Sequence, residues 1–220
     1  MEEIKEKLEK ENQIFLNDWM QSQEEKVLIE EPKSDKLIQK NEIEEVHIEE
    51  QIANLQKISY QTKKKRSRLT TQKENKKKRD YVAEAKSKVE IGKRCEQIIY
   101  EKEKENLIKQ GKVEFAKKVE WISQQPGGDG KGYDIVSYRK CKGKYEKIYI
   151  EVKGTVKDYD EPFEISSKEV EISEQQKEHY YLYRVAKANT KAPIYYEQKG
   201  SIREWYDLEP TNYRAIKKKS

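Results

Sequence analysis

The chain has 220 residues, of which 40% are charged and 34% are hydrophobic, and its mean hydropathy is -1.20. This composition excludes one large core built from the whole chain, because too little apolar surface is present to offset the entropy of ordering it. The two cysteines do not form a disulfide framework, and no apolar run approaches the roughly 20 residues of a membrane helix. We therefore expect a cytoplasmic protein with no membrane partner.

The charges are distributed unevenly, which predicts three parts. Residues 1–60 carry 8 basic and 16 acidic side chains, residues 61–80 carry 10 and 2, and residues 81–220 carry 29 and 24. The net charges of -8, +8 and +5 indicate an acidic arm, a basic linker and a mildly basic domain.

The acidic arm contains short helical patches, one between residues 4 and 19 and another with Ile48, Ile52 and Leu55 on one face. Pro32 interrupts the segment between them, which excludes a long continuous coiled coil. The arm is either a helical segment that docks on a partner or a partly disordered charged head, and both interpretations stay open.

The basic linker shows no apolar periodicity, so we expect it not to fold by itself. Its cations either bind nucleic-acid phosphates or form a solvated tether, and the sequence does not decide between the two. The residues that would contact phosphates are Lys63, Lys64, Lys65, Arg66, Arg68, Lys76, Lys77, Lys78 and Arg79.

The domain begins with a predicted helix from Tyr81 to near Gly111. The residues that recur at helical spacing and define its apolar face are Val82, Ala85, Val89, Gly92 and Ile99. Glu96 lies on the same predicted face, where a carboxylate is costly to bury unless a cation or hydrogen bonds receive it. Glu96 is therefore a candidate site residue, although a helix carboxylate paired with a nearby Lys or Arg is the alternative.

Three strands in a meander are predicted next, from KKVEWIS, YDIVSYRK and KYEKIYIEVKGT, with a hairpin turn at CKGK. Ser166 and Glu169 have the spacing of a capping box and predict the start of a second helix. HYYLYRVAKA then predicts a fourth strand, and the tail suggests one or two more short strands with a turn at Pro210. This order of elements predicts an α/β fold with a mixed sheet.

Three residues on the second and third strands carry the predicted chemistry. Asp134 starts the second strand, while Glu151 and Lys153 alternate along the third and so emerge on one face. Two carboxylates on adjacent strands suit Mg²⁺ or Mn²⁺, and a neighbouring ammonium can orient water and stabilise developing negative charge. The alternative is an ordinary ion pair on an exposed strand face.

The Glu-x-Lys spacing indicates a site only when the surrounding sequence is considered. The same spacing occurs by chance at Glu3, Glu24 and Glu84 in this chain, which is rich in both residue types. Glu151 differs because it ends an otherwise apolar strand and follows the GYDIV strand by a hairpin-sized interval.

These elements resemble the PD-(D/E)XK phosphodiesterase superfamily, whose fold is restriction-endonuclease-like. The blocks GKRCEQIIYE, GYDIVSY, YIEVKGT, PFEISSKEVE and YYLYRV also resemble a domain found at the C-terminus of the plant NO VEIN protein and in many bacterial proteins. This resemblance spans roughly residues 88–213. Tyr133 stands where the superfamily name has proline, a position that is only loosely kept.

The resemblance implies an αβββαβ core and a nuclease dependent on Mg²⁺ or Mn²⁺. It places the functional positions on Glu96, Asp134, Glu151 and Lys153, with the first three as metal ligands. It further implies that three residues support the site, namely Thr155, Ser166 and Glu169.

We therefore expect an endonuclease that cleaves nucleic acid, with DNA as the expected substrate, in a bacterial restriction or antiphage system. The setting comes from the resemblance alone. One alternative is a catalytically inactive module that binds or targets nucleic acid. Another is an interaction subunit whose N-terminal arm docks on a helicase or ATPase.

Overall fold

A six-stranded mixed sheet forms the centre of the fold in the computed structural model, which describes residues 13, 14, 17, 47–60, 81–128 and 130–211. The strands are β1 (Gln56–Lys57), β2 (Glu120–Trp121), β3 (Ile135–Cys141), β4 (Lys144–Gly154), β5 (Tyr180–Ala186) and β6 (Ile194–Lys199). The helices are α1 (Ile48–Ala53), α2 (Tyr81–Lys109), α3 (Val113–Ala116), α4 (Ser167–Gln176) and α5 (Ile202–Trp205). The α/β class and the mixed sheet predicted from the sequence are confirmed.

The strand order across the sheet is β1-β6-β5-β4-β3-β2. Strands β4 and β5 pair in parallel, as do β1 and β6, and the remaining neighbours are antiparallel. The parallel connection from β4 to β5 runs through α4, as a crossover between parallel strands requires. The long strands β3, β4 and β5 thus lie together in the middle of the sheet.

Helix α2 packs on the sheet along the alternate residues of β4. Cys95, Ile98 and Ile99 are buried in one cluster with Ile148 and Ile150. The predicted bounds of the helix are confirmed, but the predicted apolar face is wrong in part.

Only part of that predicted face reaches the core. Ile99 is buried, whereas Val89 is 71% exposed and Gly92 has no neighbouring atom within 4 Å of an added Cβ. The reason is that, among the described residues, the contact of α2 with the core starts near Ile91, so Val89 lies before the part of the helix that the sheet covers.

Two elements that precede the basic linker, α1 and β1, pack with the domain. Strand β1 pairs in parallel with β6, and Leu55 is buried in the core that α2 forms. Gln51 is fully buried, donates to the carbonyls of Ala188 and Thr190, and accepts from Arg94 Nε at 2.7 Å. The predicted helical patch with Ile48 and Ile52 is thereby confirmed as a helix, and the structure shows that it packs on the domain.

The predicted boundaries at residues 60 and 80 stay predictions. The patch between residues 4 and 19 and the basic linker fall almost wholly outside the described residues.

Helix α4 starts where the capping box predicts. The Ser166 hydroxyl accepts from the Glu169 NH at 3.2 Å, and the Glu169 carboxylate accepts from the Ser166 NH at 3.0 Å. In the tail, one predicted strand is β6, and the next element is the short helix α5 rather than a second strand. Ile202 at its start is buried and donates its NH to Ser173 of α4, which anchors the turn on the domain.

No helix in the described ranges is both long enough and apolar enough to cross a membrane.

Candidate active site

The pairing of β3 with β4 places Asp134 beside Glu151. Ile135, the first residue of β3, pairs with Ile150, so Asp134 just before it lies next to Glu151, and the charge of Asp134 acts on Glu151. The Asp134 NH donates to the Ile150 carbonyl at 2.8 Å, and its carboxylate accepts from the Val152 NH at 2.8 Å. These two bonds fix the carboxylate against the segment that carries Glu151 and Lys153.

Lys153 lies between two carboxylates. Its ammonium is 2.8 Å from Glu151 Oε1 and 2.9 Å from Glu169 Oε2. Glu151 is only 3% exposed although it carries a carboxyl group. The predicted alternation along β4 is therefore observed, because Glu151 and Lys153 meet on one face while Ile148 and Ile150 pack in the α2 core.

Glu169 has two functions in this arrangement. The oxygen that accepts from the Ser166 NH is the same one that pairs with Lys153. The start of α4 and the position of the Lys153 ammonium are thus coupled through one carboxylate. Ser166, in contrast, acts in the helix cap.

The electrostatics of the site are dominated by carboxylates. Burial and the neighbouring Asp134 raise the pKa of Glu151 well above its usual value. Burial and the charge of Glu96 raise the pKa of Asp134 to about 7, although the Val152 NH and Lys153 oppose that rise. Burial alone would lower the pKa of Lys153, but the carboxylates of Glu151 and Glu169 outweigh it and raise it.

Glu96 reaches the site from α2. Its Oε2 atom accepts from Trp121 Nε1 at 2.9 Å and from the Ser123 hydroxyl. Its charge acts on Asp134, but it is not among the main influences on Glu151. The structure therefore places Glu96 on the Asp134 side of the site, held by β2 and the turn that follows.

Two residues of β5 contribute to the site and were not identified from the sequence. Tyr180 is fully buried and donates its hydroxyl to the Gly132 carbonyl at 3.1 Å. Burial, followed by the charges of Glu151 and Glu169, raises its pKa. Arg184 is 1% exposed and donates to the Lys153 carbonyl at 3.0 Å, which ties β5 to the end of β4.

The alternation of β5 could have indicated that Tyr180 and Arg184 lie on the same face, but not that this face carries the site. Tyr180, Leu182 and Arg184 lie on one face, and the parallel register sets Leu182 beside Glu151 and Arg184 beside Lys153. That register was not available from the sequence, because a parallel pairing depends on the crossover between the strands.

The remaining candidate residues lie apart from this cluster or outside the described chain. Thr155 Oγ1 accepts from the Lys157 NH at 3.2 Å, and the Thr155 NH donates to Val185, so its hydroxyl and backbone close the turn after β4. The nine basic residues predicted to contact phosphates, from Lys63 to Arg79, fall outside the described residues.

The donor set of Asp134 and Glu151 fits a hard divalent cation. Mg²⁺ commonly takes only one or two carboxylates from a protein and keeps several waters. After burial, the charge of Asp134 is the main cause that raises the pKa of Glu151, and a cation between the two carboxylates would relieve this repulsion. Across the described ranges, no group of three or more His, Cys, Asp and Glu side chains is arranged as a preformed metal cage.

The fold and the site define a mixed α/β domain with a buried carboxylate and lysine cluster where β3 begins and β4 ends. Residues 95–197 match the family model described as Protein NO VEIN, C-terminal. This match supports the assignment of that segment to the NO VEIN C-terminal domain, and it includes Glu96, Asp134, Glu151 and Lys153. No curated protein and no solved structure is significantly similar to the chain.

Proposed function

We propose that this protein is a metal-dependent nuclease that hydrolyses phosphodiester bonds of nucleic acid, with DNA as the expected substrate. The observation that carries the proposal is the convergence of Asp134, Glu151 and Lys153 where β3 begins and β4 ends. Apart from the four-residue helix α3, the order α2, β2, β3, β4, α4, β5 is also the αβββαβ order of a restriction-endonuclease-like core. This order supports the PD-(D/E)XK relationship as part of the same proposal.

Asp134 and Glu151 are the residues that would hold Mg²⁺ or Mn²⁺, and Glu96 would complete the outer side of the site. When bound, such an ion neutralises phosphoryl charge and lowers the pKa of water. The protein itself supplies the rest of the chemistry. Lys153 presents a fixed positive charge that can orient the attacking water and stabilise negative charge that develops on the phosphate.

Glu169 and Arg184 would position Lys153. Glu169 holds the ammonium at 2.9 Å, while Arg184 holds the backbone carbonyl of the same residue at 3.0 Å. A lysine fixed at both ends loses little conformational entropy when substrate arrives. Tyr180, buried beside these carboxylates, would help to exclude water from the inner side of the site.

The biological setting is part of the proposal and rests on the resemblance alone. We place the protein in the cytoplasm, in a bacterial restriction or antiphage system. Targeting to nucleic acid would come from a partner or from the first 80 residues.

The test is cleavage of single-stranded and double-stranded DNA and RNA with Mg²⁺, Mn²⁺ or EDTA. We expect cleavage that needs the metal and is abolished in Lys153→Ala, with nucleic-acid binding retained. Lys168→Ala is the matched control, because Lys168 pairs with Glu171 on the exposed side of α4. This variant should cleave as wild type does.

Thermal melting must show that both variants fold. Equal cleavage by wild type and Lys153→Ala would remove the proposed mechanism. Binding that survives EDTA, with no cleavage of any substrate by wild type, would favour an inactive nucleic-acid-binding module.

A further inference from the structure

The face of the sheet that carries Glu151 continues along the β3–β4 hairpin as a strip of lysines and tyrosines. Cross-strand partners on this face are Val136 with Tyr149, Tyr138 with Lys147, and Lys140 with Tyr145. Lys140 and Lys147 are exposed, as is Lys142 at the hairpin tip. We call these three lysines, together with the ring pair of Tyr133 and Tyr149, the basic strip.

The two tyrosines lie between the carboxylates and the lysines. The rings of Tyr133 and Tyr149 meet edge to face with centroids 4.9 Å apart, and Lys147 is close enough to lower the Tyr133 pKa against the larger effect of burial. Farther along the hairpin, Phe115 stacks on Tyr145 at 4.8 Å, and both rings pack against the α2 core. Lysines also stand over this second aromatic group, with Lys112 5.6 Å from the Tyr145 ring.

The hairpin turn places a lysine where the backbone disfavours it. Lys142 and Gly143 have φ values of 46° and 90°, the two positive values of a type I′ turn. Asn, Asp or Gly is the usual residue at the first of these positions, because other side chains are strained there. The tip of the hairpin thus carries a positively charged side chain at a position where the backbone conformation disfavours lysine.

The lysines of the basic strip are available for a ligand. Within the described ranges, none of Lys140, Lys142 and Lys147 lies within salt-bridge distance of a carboxylate. Besides the carboxylates of the site, the acidic residue Glu120 shares this face through its pairing with Val136. The strip therefore presents three cations and two half-buried aromatic rings, with one further carboxylate near the catalytic end.

We infer that the basic strip holds the phosphate backbone of a nucleic-acid strand and directs it to Asp134 and Glu151. Lys147 lies about 13 Å from Glu151 along β4 and Tyr145, the partner of Lys140, about 20 Å, so the strip spans several nucleotides. The lysines bind phosphates and the tyrosine pair offers a stacking surface for a base. This inference rests on the proposed nuclease function and identifies the surface that the substrate occupies.

Binding is measured without cleavage, by fluorescence anisotropy of a labelled single-stranded oligonucleotide and its duplex with the full-length protein in EDTA. The double variant Lys140→Gln with Lys147→Gln should bind about tenfold more weakly, and its salt dependence should fall by about two phosphate contacts. Lys144→Gln is the matched control, because Lys144 is exposed on the same hairpin but alternates to the opposite face. Glu120→Gln should bind more tightly.

Lys142→Asn separates binding from folding. Asn suits the positive φ better than Lys, so we expect a higher thermal midpoint together with weaker oligonucleotide binding. A general loss of structure cannot produce that combination.

The inference is overturned if the double variant binds like wild type, if Lys144→Gln loses as much affinity, or if wild type does not bind. Binding of polyglutamate in place of the oligonucleotide would reassign the strip to an acidic protein partner. These assays contain no metal, so they test binding separately from cleavage. If the binding predictions fail while cleavage is intact, the role of the basic strip is rejected and the proposed nuclease function is retained. If wild type does not cleave but the binding predictions hold, the nuclease function is rejected and the role of the basic strip in binding nucleic acid is retained.

Discussion

The carboxylate of Asp134 accepts a hydrogen bond of 2.8 Å from the backbone NH of Val152. Val152 is the residue between Glu151 and Lys153, so this bond ties the start of β3 to the part of β4 that carries the other two site residues. It also determines which substitutions are informative. Asn at position 134 keeps an acceptor for the Val152 NH and removes only the charge.

Without divalent cations, the protein should lose stability as the pH rises towards neutrality. Burial and Glu96 raise the pKa of folded Asp134 to about 7 from an ordinary value of 3.8. The folded state therefore holds the proton more tightly than the unfolded state. Its contribution is fully present below pH 3.8 and is lost as the pH rises through about 7.

Urea denaturation in EDTA across this pH range measures the effect. Asp134→Asn removes this titration and the repulsion on Glu151, so its free energy of unfolding should fall less with pH than that of wild type. Glu171→Gln, on the exposed side of α4, should follow wild type. Identical slopes for Asp134→Asn and wild type would show that Asp134 titrates normally.

Glu169→Gln should separate the helix cap from the site. Gln can still accept from the Ser166 NH and complete the capping box, but its neutral amide loses the ion pair with Lys153. We expect little change in the free energy of unfolding and a fall in cleavage of about tenfold or more, as for other groups that orient a site.

Ser166→Ala is the complementary variant. It removes the hydroxyl that accepts from the Glu169 NH, which should cost about 1 kcal/mol of stability while the ion pair with Lys153 remains. If Ser166→Ala lowers cleavage as much as Glu169→Gln does, Glu169 acts through the helix and not through Lys153.

Gln51→Ala should destabilise the whole domain. The Gln51 amide donates to Ala188 and Thr190 and accepts from Arg94, so truncation removes the partner of one buried carbonyl and of two part-buried groups. We expect a loss of about 2 to 3 kcal/mol in urea denaturation. Gln175→Ala, an exposed glutamine of α4, should change stability by less than about 0.5 kcal/mol.

The same variant tests whether α1 and β1 belong to the fold. An unchanged free energy of unfolding in Gln51→Ala would mean that these elements do not stabilise the sheet.

Gly154→Ala should disturb the end of β4. A Cβ there would lie 2.5 Å from Cys95 Sγ and 3.1 Å from Cys95 Cβ, so the strand or helix α2 must move. Overpacking of this kind costs about 1 to 3 kcal/mol, and adding Cys95→Ala should restore part of it. Gly92→Ala is the control, because nothing lies near its added Cβ and Ala favours a helix. Additive losses in the double variant would show that the two residues do not clash.

Local patterns predicted the elements that carry the site. The alternation of β4 placed Glu151 and Lys153 together, and the spacing of Ser166 and Glu169 marked the start of α4. Both signals come from neighbouring residues, whose geometry is fixed by a strand or a helix turn.

Long-range pairings were not available from the sequence. The docking of β1 on β6 joins segments more than a hundred residues apart, and the parallel register of β5 on β4 sets Arg184 beside Lys153. Val89 is an apolar residue that the periodicity placed on the buried face, yet it is exposed. Helical periodicity predicts which residues share a face, but not where the contact with the sheet ends.

The most direct test of the account is Mn²⁺ binding followed by electron paramagnetic resonance, with wild type, Asp134→Asn, Glu151→Gln and Glu171→Gln. The account predicts a site in wild type and in Glu171→Gln, with affinity reduced about tenfold or more in each of the other two variants. Equal Mn²⁺ affinity in all four proteins, or none in wild type, would contradict the claim that Asp134 and Glu151 share a cation.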